Sequence, residues 1–199
     1  MRQLQTLDRA NLTQILRDFC TARPVGSKFA HRTVDTLARS SPSMKWVNPP
    51  VAYMLHEGAT RLYQAGITLP GLHAGDPLRL ALEAYPALAA RQVIGNASYK
   101  SDTRAKQTAE RRARREQIVA ALLAGRHPLG ITLKPAAPQW VEDLVEDGSA
   151  DLLDATLCLI QAAWAVQRRG YGLPTDMDAL EGWIITTPTD QAATNVNGM

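Results

Sequence analysis

Three carboxylate residues in this sequence have types and positions that suit metal-ion chemistry. Asp151 and Asp154 open an apolar stretch with helical spacing, and residues three apart on a helix are neighbours on one face. Glu83 stands near the end of a strand candidate, where ligands gather in open α/β sheets. Hard divalent cations take oxygen ligands and keep waters for exchange. The three residues together predict a site for Mg²⁺ or Mn²⁺, and two such ions about 4 Å apart can drive phosphodiester cleavage.

Each carboxylate also has a structural interpretation, which the sequence leaves open. Asp151 could be the N-cap of its helix and Asp154 a first-turn residue, because acids are favourable beside the positive end of a helix. Glu83 could simply face solvent from an edge strand.

A basic segment between residues 100 and 115 could hold the phosphates of a nucleic acid. The cations predicted to contact nucleic acid are Lys100, Arg104, Lys106, Arg111, Arg112 and Arg115. Such contact requires that part of the segment faces the acidic residues. The commoner outcome for a run of charges is a solvated helix face with pairs such as Glu110–Arg114. No aromatic residue interleaves with the cations, so nothing in the sequence indicates stacking on single-stranded bases.

The composition is that of an ordinary globular protein. The 199 residues are 45% hydrophobic and 21% charged with a net charge of +3, so composition alone does not imply a nucleic-acid partner. Cys20 and Cys158 have no metal-ligand spacing, which is typical of reduced core cysteines. The first residues form no apolar signal-peptide region, and no run approaches the length of a membrane span. These features predict a soluble, cytoplasmic protein without membrane contact.

The spacing of apolar residues predicts more helix than strand. Helices are predicted over residues 8–22, 50–64, 87–94, 138–146 and 151–167, with a further amphipathic helix inside 99–125. Strands are predicted over 78–86 and 180–186, and residues 188–199 are predicted to be disordered. Because two short strands do not make a stable sheet, either they pair on a helical body or the chain is the second half of a larger α/β arrangement.

Several segments taken together resemble a bacterial protein family. They are Lys28–Arg32, Ser41–Met54, Leu82–Leu88, Tyr99–Asp102, Asp151–Ala155 and Leu180–Ile184. The Glu-Ala-Tyr-Pro and Asp-x-x-Asp-Ala elements are the most specific of these when they occur together. The family is of unknown function, and its members are described as predicted nucleases with an RNase H-like fold, distantly related to the RuvC resolvases. The resemblance covers most of residues 12–186.

The resemblance implies an α/β domain of RNase H-like type over residues 1–187, helix-rich and lacking the first strands of its sheet. In that fold Glu83 matches the second catalytic acid and Asp154 the third, with Asp151 in an auxiliary place. The family's first acid, an aspartate on the first strand, has no counterpart here. The resemblance therefore implies a metal-dependent nuclease with little or no activity as this chain, which strands encoded upstream of Met1 would restore.

The alternative is a non-enzymatic remnant of that fold, which binds nucleic acid or a protein. An exposed sheet edge readily templates pairing with another strand. A homodimer or a strand-complementing partner is therefore expected at that edge.

Overall fold

Helices dominate the computed structural model, which describes residues 2–189. The helices are α1 (Arg2–Thr6), α2 (Arg9–Thr21), α3 (Thr33–Ala38), α4 (Val51–Gln64), α5 (Pro86–Ile94), α6 (Ala109–Leu123), α7 (Pro138–Glu146) and α8 (Asp151–Val166). The strands are β1 (Ile67–Thr68) and β2 (Asp76–Leu80), and short 3₁₀ turns occur at Arg104–Lys106 and Arg169–Gly172. The predicted helices are confirmed, with ends close to those expected, whereas α1 and α3 were not predicted.

Local capping explains where several of these helices begin. Asp8 Oδ1 accepts a hydrogen bond from Asn11 N at 2.7 Å and so caps α2. Thr108 caps α6 in the same way. Pro86 and Pro138 stand in the first turns of α5 and α7, where the missing N–H has no helical partner to lose.

The sheet contradicts the predicted fold class. Within residues 2–189 it comprises β1 and β2, which pair in parallel. Glu83 lies beyond the end of β2 and makes an isolated bridge to Ile184. An RNase H-like fold needs a sheet of several strands, so the prediction of an RNase H-like α/β domain is wrong for the described chain.

The alternating leucines of β2 explain why the sequence suggested a larger sheet. Alternation normally marks a strand with one buried face. Here Leu78 is 92% exposed and Leu80 is 39% exposed, so this face of the strand lies against solvent. The predicted strand over 180–186 is instead a series of turns with the single bridge at Ile184.

The chain divides into two compact units. The second unit is the continuous stretch Ala84–Leu173, and the first combines the chain up to Glu83 with the chain from Pro174 onward. A single domain over residues 1–187 stays a prediction. Residues 190–199 of the predicted disordered tail lie outside the described residues.

The second unit has a helical core. Helix α5 packs against α6 and α8, and α7 packs against both α6 and α8. The fully buried side chains of this core include Ile118, Leu122, Leu144, Leu153 and Leu157. Each such side chain contributes about 1.5–3 kcal/mol relative to exposure. The core therefore fixes the helix start that carries Asp151 and Asp154.

In the first unit, α1 packs on α4. His56 Nε2 on α4 lies 3.0 Å from Leu4 O and 2.8 Å from Leu7 O, and this contact ties the start of the chain to that helix.

No helix in the described part of the chain is, by itself, long and apolar enough to cross a membrane. Helices α7 and α8 pass that test only as a pair, which is bent by 115° at the break between them.

Candidate functional site

The start of α8 is capped by Asp147, four residues before the helix. Its Oδ2 accepts a hydrogen bond from Leu152 N at 3.2 Å, and its Oδ1 accepts one from Ser149 N at 3.1 Å. The N-cap position is held by Ala150, in the left-handed conformation with φ 60°. The interpretation of Asp151 as the N-cap is therefore wrong, because Ala150 holds that position and the Asp147 side chain accepts from the helical N–H of Leu152. The carboxylate of Asp151 is left exposed, with Ser149 Oγ 3.1 Å from its Oδ2.

The carboxylate of Asp154 contacts two donors at the start of the basic segment, Tyr99 and Lys100. Tyr99 donates its hydroxyl to Asp154 Oδ1 at 2.6 Å, and the Lys100 ammonium group forms an ion pair with Oδ2. Burial raises the pKa of the Tyr99 hydroxyl, and the hydrogen bond to Asp154 raises it further, so the phenol keeps its proton at neutral pH. The Asp154 side chain is 17% exposed and the Lys100 side chain 40%, so solvent reaches this pair.

A backbone contact holds the basic segment against the turn before α8, since Ser101 N donates to Gly148 O at 3.1 Å. Within the segment, Gln107 Nε2 donates to Ser101 O at 2.9 Å. A methyl group added at Gly148 would overlap the Gln107 side chain, which would have to move. The segment and the acidic helix start are therefore adjacent, which the phosphate-binding prediction required.

The cations of this segment differ in their availability. Arg104 and Lys106 are exposed, and their side chains have no polar partner within residues 2–189. Arg111 donates to the Lys106 carbonyl oxygen, and Arg112 pairs with Glu116 and Glu146. The expected Glu110–Arg114 pair is not what forms, since Arg114 Nη1 donates to Gln117 Oε1 at 2.9 Å.

Arg115 is the predicted phosphate contact whose side chain the structure buries. It is 3% exposed, and its guanidinium group donates to Val145 O at 2.7 Å and to Tyr99 O at 2.8 Å. Burial lowers its pKa from the ordinary arginine value. Arg115 therefore braces the Tyr99 segment from inside the core and does not face solvent.

Glu83 belongs to the first unit, where an arginine clamps it. Arg32 Nη1 donates to Glu83 Oε2 at 2.8 Å and Arg32 Nη2 donates to Oε1 at 2.7 Å, which is the bidentate geometry that favours arginine. The same guanidinium group bonds Asp35 and, at 2.9 Å, the Glu181 carbonyl oxygen. Burial lowers the pKa of Arg32, but the bonds to Glu83 and Asp35 outweigh it and raise the pKa overall. The sequence did not indicate the role of Arg32, because Glu83 and Glu181, which it contacts, are distant from it in the chain.

The three predicted metal ligands divide between the units. Asp151 and Asp154 share one turn of the second unit, and Glu83 is part of the first. Within residues 2–189 there is no group of three or more His, Cys, Asp or Glu residues placed to hold a metal ion. A site for Mg²⁺ or Mn²⁺ made by all three carboxylates stays a prediction.

Comparison with known protein families, with curated proteins and with solved structures gives no match for this chain.

Proposed function

We propose that this chain binds nucleic acid along the basic segment of its second unit and hydrolyses phosphodiester bonds there with Mg²⁺ or Mn²⁺. The supporting observation is the ion pair between Lys100 and Asp154, which joins the basic segment to the acidic start of α8. Cations suit a phosphate backbone, and carboxylates suit a divalent metal ion. One region of the second unit therefore contains both kinds of group that the reaction needs.

Asp151 and Asp154 are the residues that would hold the metal ion. Their oxygens are the ligands that Mg²⁺ and Mn²⁺ take, and capping by Asp147 leaves the Asp151 carboxylate exposed. At Asp154 the ion would compete with the ammonium group of Lys100. When bound, such an ion polarises a phosphoryl oxygen and makes its own water a stronger nucleophile.

The remaining residues bind and orient the substrate. Arg104 and Lys106 are exposed and attract backbone phosphates, and Lys100 can exchange Asp154 for a phosphate oxygen. Tyr99 keeps Asp154 in place through its hydroxyl group, which stays a donor because its pKa is raised by burial. Arg115 fixes Tyr99 in turn through the Tyr99 carbonyl oxygen.

A second candidate is nucleic-acid or protein binding without hydrolysis. It is favoured by the contacts of Asp154, since one of its oxygens accepts from Tyr99 and the other pairs with Lys100, so a metal ion would have to compete with both. In this candidate the edge of β2 is the contact for a second copy of the chain or a complementing strand. Both candidates place the chain in the cytoplasm, where free thiols such as Cys20 and Cys158 stay reduced.

Cleavage of end-labelled single- and double-stranded DNA and RNA tests the proposal. Because the first-strand acid of the resembled family has no counterpart here, we expect at most slow cleavage with Mg²⁺ or Mn²⁺, none with EDTA, and a further loss of at least about 100-fold in rate for Asp154→Asn, as when a transition-state contact is removed. Glu142→Gln is the matched control, because Glu142 is an exposed carboxylate of the same unit on α7. Circular dichroism checks that both variants are folded.

The outcomes separate the two candidates. Binding to nucleic acid without cleavage by the wild-type chain supports the second candidate and rejects the first. Cleavage that survives both Asp154→Asn and EDTA would assign the activity to other residues or to a contaminant. Absence of both binding and cleavage rejects the nucleic-acid role.

A further inference from the structure

The first unit contains a cavity of about 280 Å³ between α3 and the segment 174–183. Its apolar lining includes Leu37, Met177 and Trp183. Its acidic lining is Asp176, Asp178 and Glu181. No lysine or arginine lines it among the described residues. The cavity therefore combines apolar walls with a negatively charged rim.

The wall of this cavity is held in place by its own turn. Asp178 Oδ1 accepts hydrogen bonds from Leu180 N at 2.6 Å and from Glu181 N at 3.2 Å. Gly182 N donates to Asp178 O at 2.9 Å, and Gly182 has φ 70°. A side chain at Gly182 would collide with Leu72, so the turn is packed against the chain before β2. A ligand would thus meet a preformed surface and lose little free energy in ordering it.

The acidic rim is not neutralised by the surrounding residues. The carboxylates of Asp176 and Glu181 are exposed and have no hydrogen bond or ion pair within the described chain. The nearby cation, Arg32, donates to the Glu181 carbonyl oxygen, but its charge is already balanced by Asp35 and Glu83. The cavity therefore has a negative potential that attracts a cation.

We infer that this cavity is a docking site for an arginine side chain of a partner peptide. A guanidinium group forms forked hydrogen bonds to carboxylates and stacks on an aromatic face, and the lining offers Asp176, Glu181 and Trp183 for these contacts. The cavity is smaller than the ~300–1,000 Å³ of typical drug-sized ligand sites, which suits one side chain. Residues 190–199 contain no lysine or arginine, so this segment does not supply the cation.

The test uses an acetylated pentapeptide, Gly-Leu-Arg-Leu-Gly, and the same peptide with citrulline in place of arginine. Citrulline has the shape of arginine without its charge. Binding is followed by calorimetry and by the indole N–H resonance of Trp183, which is assigned with Trp183→Phe. We expect the arginine peptide to bind at least about tenfold more tightly, as for loss of one hydrogen bond to a charged group.

A pair of double variants locates the site. Asp176→Asn with Glu181→Gln should weaken binding of the arginine peptide about tenfold or more. Asp143→Asn with Glu142→Gln on α7 removes the same charge from exposed positions of the other unit and should leave binding unchanged. Equal affinity for the two peptides, equal loss in the two double variants, or no binding at millimolar peptide would each overturn the inference. Neither result depends on nuclease activity, so this test and that of the proposed function fail independently.

Discussion

Tyr99 uses both its side chain and its backbone to build the second unit. Its hydroxyl donates to Asp154 Oδ1 at 2.6 Å, and its carbonyl oxygen accepts from the buried Arg115. Tyr99→Phe removes the first bond and leaves the second, so we expect the free energy of unfolding to fall by about 1–3 kcal/mol. Urea denaturation measures this change. Tyr171→Phe is the control, because the Tyr171 hydroxyl has no partner in the part of the chain described. This substitution should lower the free energy of unfolding by less than about 0.5 kcal/mol, as is usual for surface sites.

His127 makes the second unit sensitive to acid. Its Nε2 lies 3.2 Å from Ala89 O, and its Nδ1 accepts a hydrogen bond from Leu129 N, so the ring is a neutral donor and acceptor. Burial lowers its pKa below the ordinary value of about 6.5 that it regains on unfolding. Its contribution to stability is fully present above about pH 6.5 and is lost as the pH falls toward the folded pKa. Thermal unfolding between pH 7.5 and 5 should show a smaller loss for His127→Gln than for the wild type, and equal losses would contradict this account.

The candidate site illustrates what sequence spacing can and cannot predict at this scale. Asp151 and Asp154 are neighbours because three residues span one helical turn, a purely local rule. The ion pair of Lys100 with Asp154 and the clamp of Arg32 on Glu83 join residues 54 and 51 positions apart, respectively. Such partners are chosen by packing, so no local pattern indicates them.

At the scale of the element, α8 has one buried and one exposed apolar face. Leu157 is 0% exposed, whereas Leu159 is 56% exposed. We therefore expect Leu157→Ala to lower the free energy of unfolding by about 2–5 kcal/mol, since it leaves a cavity in the core. Leu159→Ala deletes the same atoms and should cost well under half as much. Similar losses for the two variants would mean that another surface covers Leu159 in solution.

Helices were predictable and the sheet was not, for a physical reason. Helix bounds depend on local hydrogen bonds, and residues such as Asp8, Pro86 and Pro138 mark them in the sequence. The alternation at Leu78 and Leu80 indicates a strand. Such a strand becomes part of a larger sheet only where another layer of the protein covers its apolar face. That layer is a tertiary property, and both leucines face solvent here.

At the scale of the molecule, the net charge of +3 is too small to decide on nucleic-acid binding, so the position of the charges must decide it. Replacing Arg104 and Lys106 with Gln should weaken binding and reduce the slope of log affinity against log salt by about 1.8, at about 0.9 per lost phosphate contact. Replacing Arg17 and Arg126 with Gln removes the same charge from exposed positions outside the basic segment. An identical change of slope in both double variants would mean that binding follows total charge and has no defined site.

The division into a continuous second unit and a first unit made of both chain ends has a consequence for synthesis on the ribosome. The second unit is complete once Leu173 has emerged, so it can fold while the rest is still being translated. The first unit cannot, because Arg32 reaches across 149 residues to the Glu181 carbonyl oxygen. The residues up to Glu83 therefore cannot complete their unit until the residues from Pro174 onward have been synthesised. A nascent chain that ends at Leu173 and is held outside the ribosome by an added linker should resist protease within residues 84–173 and be cut readily before Glu83. In that interval chaperones would act mainly on the unfinished first unit.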